Sequence, residues 1–320
     1  MEKKPRIPIS EAKPQNRGAA LIYFSNEYAP KYEDELNPKM GFLQYKKYAE
    51  KGQDMIEVNK IYYAGPTRYG NHAAMGDRIP VSIDMIAAYA RFLANNKLPG
   101  KSHTRYDGEV YPRKGEVAIH TIYFEEDKPS EKLMAYFLNE GAFTKRLISF
   151  NGEHGIAGWI NIVSGDYDKG QLLGLFMTMA PSAKIEYTTI CTGTPVYINR
   201  VNLNNMIYNR MNFNSLNDKH AMAQATGWLS RFDKPSYYYM VQMIKYDLLF
   251  KRLKGIPFER IMALNTDGAI VAVTGLDDPI YAQILENNPT TDFMKVDYNI
   301  ELNIRGHEVY VQRKEEKDGD

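Results

Sequence analysis

The sequence predicts an α+β fold, an antiparallel sheet with helices segregated against it. Three observations carry this reading. The stretch ERIMALNTDGAIVAV (259–273) places two short apolar runs, 261–264 and 269–273, on either side of Asn-Thr-Asp-Gly, as two antiparallel strands joined by a tight polar turn would require. Residues 200–255 hold three helical segments in succession, RVNLNNMIYNRMN, LNDKHAMAQATGWLSRF and SYYYMVQMIKYDLLFKRLKG. Strand-like runs such as IPVSIDM (79–85) and the alternating EVAIHTIYF (116–124) are spread through the remainder.

In chain order, GAALIYF (18–24) reads as a buried strand. PKMGFLQYKKYAEKG (38–52) reads as an amphipathic helix with a glycine stop, and VNKIYYAG (58–65) as a strand entering a turn. IPVSIDM is a strand that passes into the helix IAAYARFLANNKLPG (86–100), ended by Pro-Gly. SEKLMAYFLNEG (130–141) is a helix with a Ser cap, and GWINIV and KIEYTTIC are strands. After the three helices comes the hairpin, then a last strand HEVYVQR (307–313) and a charged tail. GLDDP (275–279) reads as a turn, and Lys251, Arg252 and Lys254 before Gly255 as cations at the negative end of a helix dipole.

Composition narrows the function. At 44% hydrophobic content over 320 residues, one or two domains can bury a sizeable core. The single cysteine, Cys191, excludes an intrachain disulfide framework and a cysteine zinc cluster. The six histidines have no metal-site spacing. No apolar run reaches the roughly 18 residues of a membrane span, and MEKKPRIPIS lacks the apolar stretch of a signal peptide. The expected setting is the cytoplasm. Net charge is only +1, yet residues 200–260 hold ten Lys/Arg against four Asp/Glu, an excess of six. GDYDKGQLLG lacks the Gly-Lys-Ser/Thr ending of a phosphate loop.

Two carboxylates stand where chemistry can sit. Asp84 ends a strand just as a helix begins, which suits a helix N-cap as well as a ligand. Asp267 occupies the hairpin tip, where Asp is also a common turn former. Two carboxylates on neighbouring strands can bind Mg²⁺, which prefers oxygen ligands and leaves room for phosphate oxygens. On the helix 216–232, Lys219, Ala223 and Gly227 fall at i, i+4 and i+8 and share one face. That face suits close approach of a flat, charged ligand, or simple helix packing. Gly227 in mid-helix costs about 1 kcal/mol relative to Ala.

In this order the pieces resemble the palm and fingers of family B DNA polymerases, most closely the protein-primed phage and plasmid branch. SIDMIAAYARFLANNKLPG resembles the family's Asp-x-x-Ser-Leu-Tyr-Pro motif, with Asp84 as metal ligand and Tyr89 as the steric gate that senses the sugar. KHAMAQATG resembles Lys-x-x-x-Asn-Ser-x-Tyr-Gly, with Lys219 and Gly227 in register at the nucleotide. MALNTDGAIV resembles Tyr-x-Asp-Thr-Asp-Ser, with Asp267 as the second ligand. IYYAGPTR resembles the Tyr-x-Gly-Gly element that contacts template, with Tyr62 and Gly65 in place. HEVYVQR weakly resembles the Lys-x-Tyr element that contacts primer, with Tyr310 in place and Arg313 also near DNA. The resemblance covers roughly residues 55–315.

The sequence also departs from the family. Ala87, Ala88 and Ala90 replace Ser, Leu and Pro; Ala223, Gln224 and Thr226 replace Asn, Ser and Tyr. Asn265 replaces the first Asp of its motif, Gly268 replaces Ser, and Glu308 replaces Lys. The absent Tyr at 226 should weaken packing on the nascent pair, and Glu308 should repel a primer phosphate.

The resemblance implies a palm-type antiparallel sheet with helices on one face and a helical fingers region. The palm is expected from 56–100 and 256–315, an inserted subdomain from 101–199 and fingers-like helices from 200–255. An N-terminal segment (1–55) and a tail (316–320) flank them. It further implies template-directed DNA synthesis by two-metal nucleotidyl transfer with Mg²⁺ or Mn²⁺, on DNA template-primer and dNTPs. The expected enzyme is a minimal core without exonuclease or full thumb, in phage or plasmid replication, with a separate exonuclease, processivity or priming subunit as partner and no membrane. The alternatives are a non-catalytic polymerase-like nucleic-acid-binding subunit and a template-independent or self-priming polymerase.

Overall fold

The computed structural model describes residues 69–71, 74–126, 128–138, 148–150, 155–195, 200–213, 215–232, 234–305 and 308–311. The strands expected at 18–24 and 58–65 and the helix at 38–52, and with them Tyr62 and Gly65, lie outside the described residues, as does Arg313. The fold is α+β and its strand pairings are antiparallel.

The sheet that carries both candidate carboxylates has the order β1-β8-β9-β2-β10. Its strands are β1 (Tyr69–Gly70), β2 (Ile79–Met85), β8 (Ile261–Leu264), β9 (Gly268–Val273) and β10 (Met294–Tyr298). Hydrophobic alternation sets its two faces. Val81, Ile83 and Met85 of β2 join the main core with Ala269, Val271 and Val273 of β9. Ile270 and Ala272 point the other way, into a small cluster with Ala74, Met262 and Ala263. Asp84 shares the parity of Ser82 and emerges exposed at the end of β2.

A second five-stranded sheet, order β3-β7-β4-β6-β5, is built wholly from residues 100–195. It comprises β3 (Gly100–Asp107), β4 (Val117–Glu126), β5 (Ile148–Phe150), β6 (Gly155–Gly165) and β7 (Lys184–Pro195). Strands β11 (Leu302–Arg305) and β12 (Glu308–Val311) pair with each other as a short ribbon. Helix α1 (Ala88–Asn95) follows β2. The short α2 (Glu131–Leu133), capped by the Ser130 side chain, continues as a π-turn at Met134–Leu138. Then come α3 (Gln171–Met179), α4 (Arg200–Phe213), α5 (Leu216–Phe232) and α6 (Lys234–Asp247), which runs into a π-turn at Leu248–Arg252. Last is α7 (Pro279–Asn287). No described helix is long and apolar enough to cross a membrane.

Several local expectations need correction. The helix expected over 86–100 is only Ala88–Asn95, and Gly100 already begins β3. The turn at GLDDP is real, but it also starts a helix. Asp278 caps α7 by accepting from the Ile280 amide at 2.9 Å, and Pro279 occupies the first helical turn, where no amide donor is needed. Arg252 lies in the last turn of its helix, as expected, but it is more than a cation at a helix end. It is buried, 7% exposed, and donates to Asp292 at 3.0 Å and to the Asn287 carbonyl at 3.1 Å, with Asp247 3.7 Å away. Removing water from a guanidinium demands such partners, so Arg252 ties the end of α6 to the segment after α7.

The turn between β2 and α1 is strained. Ala87 has φ 52, in the left-handed region that disfavours a Cβ. Ala87→Gly should therefore be neutral or stabilise the fold by up to about 1 kcal/mol. The same change at Ala88, one residue into the helix, should cost about 1 kcal/mol. Paired thermal unfolding measurements check both.

Candidate active site

The hairpin β8–β9 is closed by Asn265, whose amide donates to the Gly268 carbonyl at 2.8 Å. A bulge in β8 between Ile261 and Ala263 lets the strand bend next to this tip. Strand β2 pairs with β9 so that Asp84 lies opposite Gly268, and the pairing ends where the Met85 amide donates to the Asp267 carbonyl at 2.9 Å. On its other side, the Ile86 amide donates to the Phe293 carbonyl at 2.9 Å. The end of β2 is thus pinned from both flanks, and Asp84 and Asp267 are held side by side. Asp84 is exposed and Asp267 is partly buried.

Their closeness has an electrostatic consequence. Burial, and next the Asp84 carboxylate, push the Asp267 carboxyl up to about 6, against a hydrogen bond from its own backbone amide. Two like charges at adjoining strand ends repel, and the less solvated one holds its proton more tightly.

Gly268 is the residue that permits this approach. A Cβ there would lie 2.6 Å from the Ile83 carbonyl oxygen, and 3.6 Å from an Asp84 carboxylate oxygen. The nearer atom is backbone inside the β2–β9 ladder and cannot swing aside. Glycine in place of the family's serine is therefore imposed by close strand contact.

Tyr89, in the first turn of α1, comes back toward the same tip. Its hydroxyl hydrogen-bonds with Thr266 and lies within electrostatic reach of Asp267 and Tyr237. Burial foremost, then Asp267, drive that hydroxyl well above its ordinary value. The strained Ala87 turn makes this return possible over few residues. Asp84, Asp267 and Tyr89 are therefore neighbours. Thr266 and Tyr237 join them without having been singled out in the sequence. Thr266 is 1% exposed and braces the tip. Nothing in SYYYMVQM distinguishes Tyr237 from Tyr238 and Tyr239, which are buried in the core.

Lys219 stands in the first turn of α5, partly buried, its amide donating to the Ser215 carbonyl at 3.2 Å. It belongs to the helical layer that packs on α1, not to the sheet. Gly227 lies two turns further along α5. Tyr310 is on β12, its backbone paired with Asn303, far along the chain from the carboxylate tips. Among the described side chains, two of the cations between 200 and 260 are buried. Arg252 is paired as described, and Lys245 is 8% exposed with its Nζ 4.9 Å from the Phe137 ring centre. Burial lowers Lys245 to about 7.

Among the described residues, no group of three or more His, Cys, Asp or Glu side chains gathers as a metal cluster. The carboxylate pair is a donor set suited to a hard cation that completes its shell with water and phosphate oxygens.

No family model matches the chain, and no curated protein matches it. Among solved structures, it is similar to phi29 DNA polymerase in complex with primer-template DNA (TM-score 0.49, 10% identity, covering 79% of this chain and 51% of that one). It is also similar to the ternary complex of the same polymerase with primer-template DNA and incoming nucleotides (TM-score 0.48, 10% identity, 78% and 51%). An orthorhombic crystal form of that enzyme gives a TM-score of 0.45 at 11% identity, over 82% and 52%. The chain spans about half the length of these solved structures.

Proposed function

We propose that the chain catalyses nucleotidyl transfer in template-directed DNA synthesis, with Asp84 and Asp267 holding Mg²⁺ or Mn²⁺. The observation that carries the reading is the pair of carboxylates fixed at adjoining strand ends, one of them raised to about 6 by burial and by the other. A fold keeps two repelling carboxylates together at a cost, and a divalent cation between them removes it. Bound there, the metal would activate an attacking hydroxyl and neutralise charge on the leaving pyrophosphate.

The chain's own residues supply position. Backbone bonds at Met85 and Ile86 keep Asp84 in place while nucleotides exchange. Tyr89, held by Thr266, walls the side of the site nearest α1 and meets the sugar of the incoming nucleotide. Lys219 meets its triphosphate from the helical layer, with Gly227 on the same helix face. In this reading 56–100 and 256–315 act as the palm, 101–199 as an inserted subdomain and 200–255 as the fingers.

Primer extension with Mg²⁺ or Mn²⁺, with and without template, tests the proposal. Incorporation that requires template supports it. Template-free synthesis assigns the site to a self-priming or template-independent enzyme. Absence of incorporation with intact DNA binding assigns the chain to a non-catalytic subunit.

Two variants test the assignments around the metal. Tyr89→Val should admit ribonucleotides at least about tenfold more readily, because an isopropyl side chain is too short to meet the 2′-hydroxyl; competition between dNTP and NTP reads this directly. Unchanged discrimination would take Tyr89 out of the sugar site. Lys219→Ala should raise the KM for nucleotide and slow incorporation while unfolding shifts by less than about 1 kcal/mol, since a half-exposed lysine adds little to stability. An unaltered KM would return Lys219 to a packing role.

A further inference from the structure

Two strained residues flank the end of β2. Among the described residues four that are not glycine have positive φ, and two of them meet at Ile86. Ala87, with φ 52, follows it in the chain. Phe293, with φ 60, supplies the carbonyl to which the Ile86 amide donates at 2.9 Å. A bulky side chain is an outlier in the left-handed region, and the conformation persists only where its surroundings over-determine it.

The surroundings of Phe293 do so. A single turn, Thr290–Asp292, closes onto it, and the Phe293 amide donates to the Thr290 carbonyl at 3.0 Å. The neighbouring Asp292 carboxylate accepts from Arg252 at 3.0 Å, at the end of the π-turn that follows α6. Over the Phe293 ring stands the Arg91 guanidinium of α1, 4.1 Å from the ring centre, where a cation is attracted to the ring face. Arg91 lies within electrostatic reach of Arg252, Asp247 and Asp292, so two carboxylates offset the repulsion of two guanidiniums. Helix α1, the end of α6 and the segment after α7 thus converge on one residue. From it the chain runs straight into β10, where Met294 pairs with Met85 and Lys295 with Asp84. The left-handed turn sets where β10 begins against β2, and the Phe293 carbonyl continues that pairing one step past Met85.

We infer that Phe293 is a positioning residue for Asp84, held in its left-handed conformation by Arg91 and by the Arg252–Asp292 pair, so that the helical layer fixes the strand end that carries the carboxylate. Packing alone does not account for the arrangement. Phe293 is only partly buried, and an unstrained backbone could bury a ring as well. The inference rests on the proposed nucleotidyl transfer for its effect on rate, but not for its effect on the strand end.

Hydrogen exchange of the full chain in EDTA reads that strand end without metal, nucleotide or DNA. Phe293→Ala should speed exchange of the Ile86 amide at least tenfold and leave the β4–β6 ladder as in wild type. Arg91→Gln, which keeps the Phe293 side chain, should speed it at least threefold. Arg91→Lys should return it toward wild type, because an ammonium also binds a ring face, and Phe293→Tyr should match wild type. Phe293→Ala should also weaken Mn²⁺ binding at least fivefold, read by electron paramagnetic resonance of the free ion. In primer extension it should lower kcat at least tenfold while the nucleotide KM stays within twofold, because Tyr89 keeps its bond to Thr266 and Lys219 stands on another helix. Unchanged Ile86 exchange in both Phe293→Ala and Arg91→Gln overturns the inference. So does exchange that quickens equally across both sheets, which would make Phe293 a packing residue. In a chain that extends primers, a freed Ile86 amide with Mn²⁺ affinity and kcat unaltered overturns it too. If wild type extends no primer while the exchange changes appear as stated, the catalytic reading fails and the positioning of the strand end stands.

Discussion

Asp267→Asn should abolish primer extension and, at the same time, make the metal-free protein more stable. The two effects have one origin. In the folded protein the Asp267 carboxyl is raised to about 6 by burial and by Asp84, whereas an unfolded chain ionises it near 3.9. A carboxyl raised on folding binds its proton more tightly in the folded state. It therefore favours folding at low pH, and that contribution is lost as pH rises from about 4 through about 6. At pH 8 the ionised pair opposes folding by about 1–3 kcal/mol once solvent screening of the exposed partner is allowed for. The amide removes the charge and the penalty, so unfolding in EDTA at pH 8 should shift upward in Asp267→Asn but not at pH 4. Adding Mg²⁺ should stabilise wild type and leave the variant unmoved, because the variant has lost one of the two ligands. Asp84→Asn should behave alike. DNA affinity should stay equal or tighten slightly, since a negative charge near the phosphates has gone. The loss of extension follows because a ligand to Mg²⁺ acts mainly as charge shifts between attacking and leaving oxygens. If wild type and variant are equally inert with every primer and template while both bind DNA, the catalytic proposal fails and the carboxylate pair is only an electrostatic strain.

Gly268→Ser should impair the protein, although it restores the residue found in the family it resembles. The added Cβ would meet the Ile83 carbonyl at 2.6 Å, well inside contact distance, and that oxygen is fixed by the β2–β9 ladder. Either the strands part or the end of β2 moves. Overpacking of this kind costs about 1–3 kcal/mol, and a displaced β2 carries Asp84 away from Asp267. Unfolding and extension should fall together, and Gly268→Ala should do nearly as much because the clash is at Cβ. A serine variant with normal stability and higher activity would instead mark Gly268 as erosion of the site.

Much of the site's framework was legible from local pattern. The strand 79–85 and the hairpin at 259–273 were visible because apolar alternation and an Asn-Thr-Asp-Gly turn are written within a few residues. The helices expected at 200–212 and 216–232 are present at Arg200–Phe213 and Leu216–Phe232, and Ser130 caps a helix as its place before Glu131 suggests. Strands β3 and β10 escaped notice. Both are edge strands: GKSHTRYD carries polar residues on both faces and does not alternate, and MKVDY alternates over only five residues. Arg252 does end a helix, but its burial and its partners were not legible because Asp292 and Asn287 lie 40 and 35 residues away.

By itself the sequence determined the two strand ends that carry Asp84 and Asp267, because turn chemistry and strand alternation are properties of neighbouring residues. The tertiary structure alone decided that those ends adjoin, because adjacency depends on strand order, with β9 placed between β8 and β2. It also decided that Asp267 is raised, that Tyr89 returns to Thr266 across a left-handed Ala87, and that residue 268 must lack a side chain. Each of these depends on burial, like-charge distance or steric clearance between segments far apart in sequence, quantities that no local pattern contains.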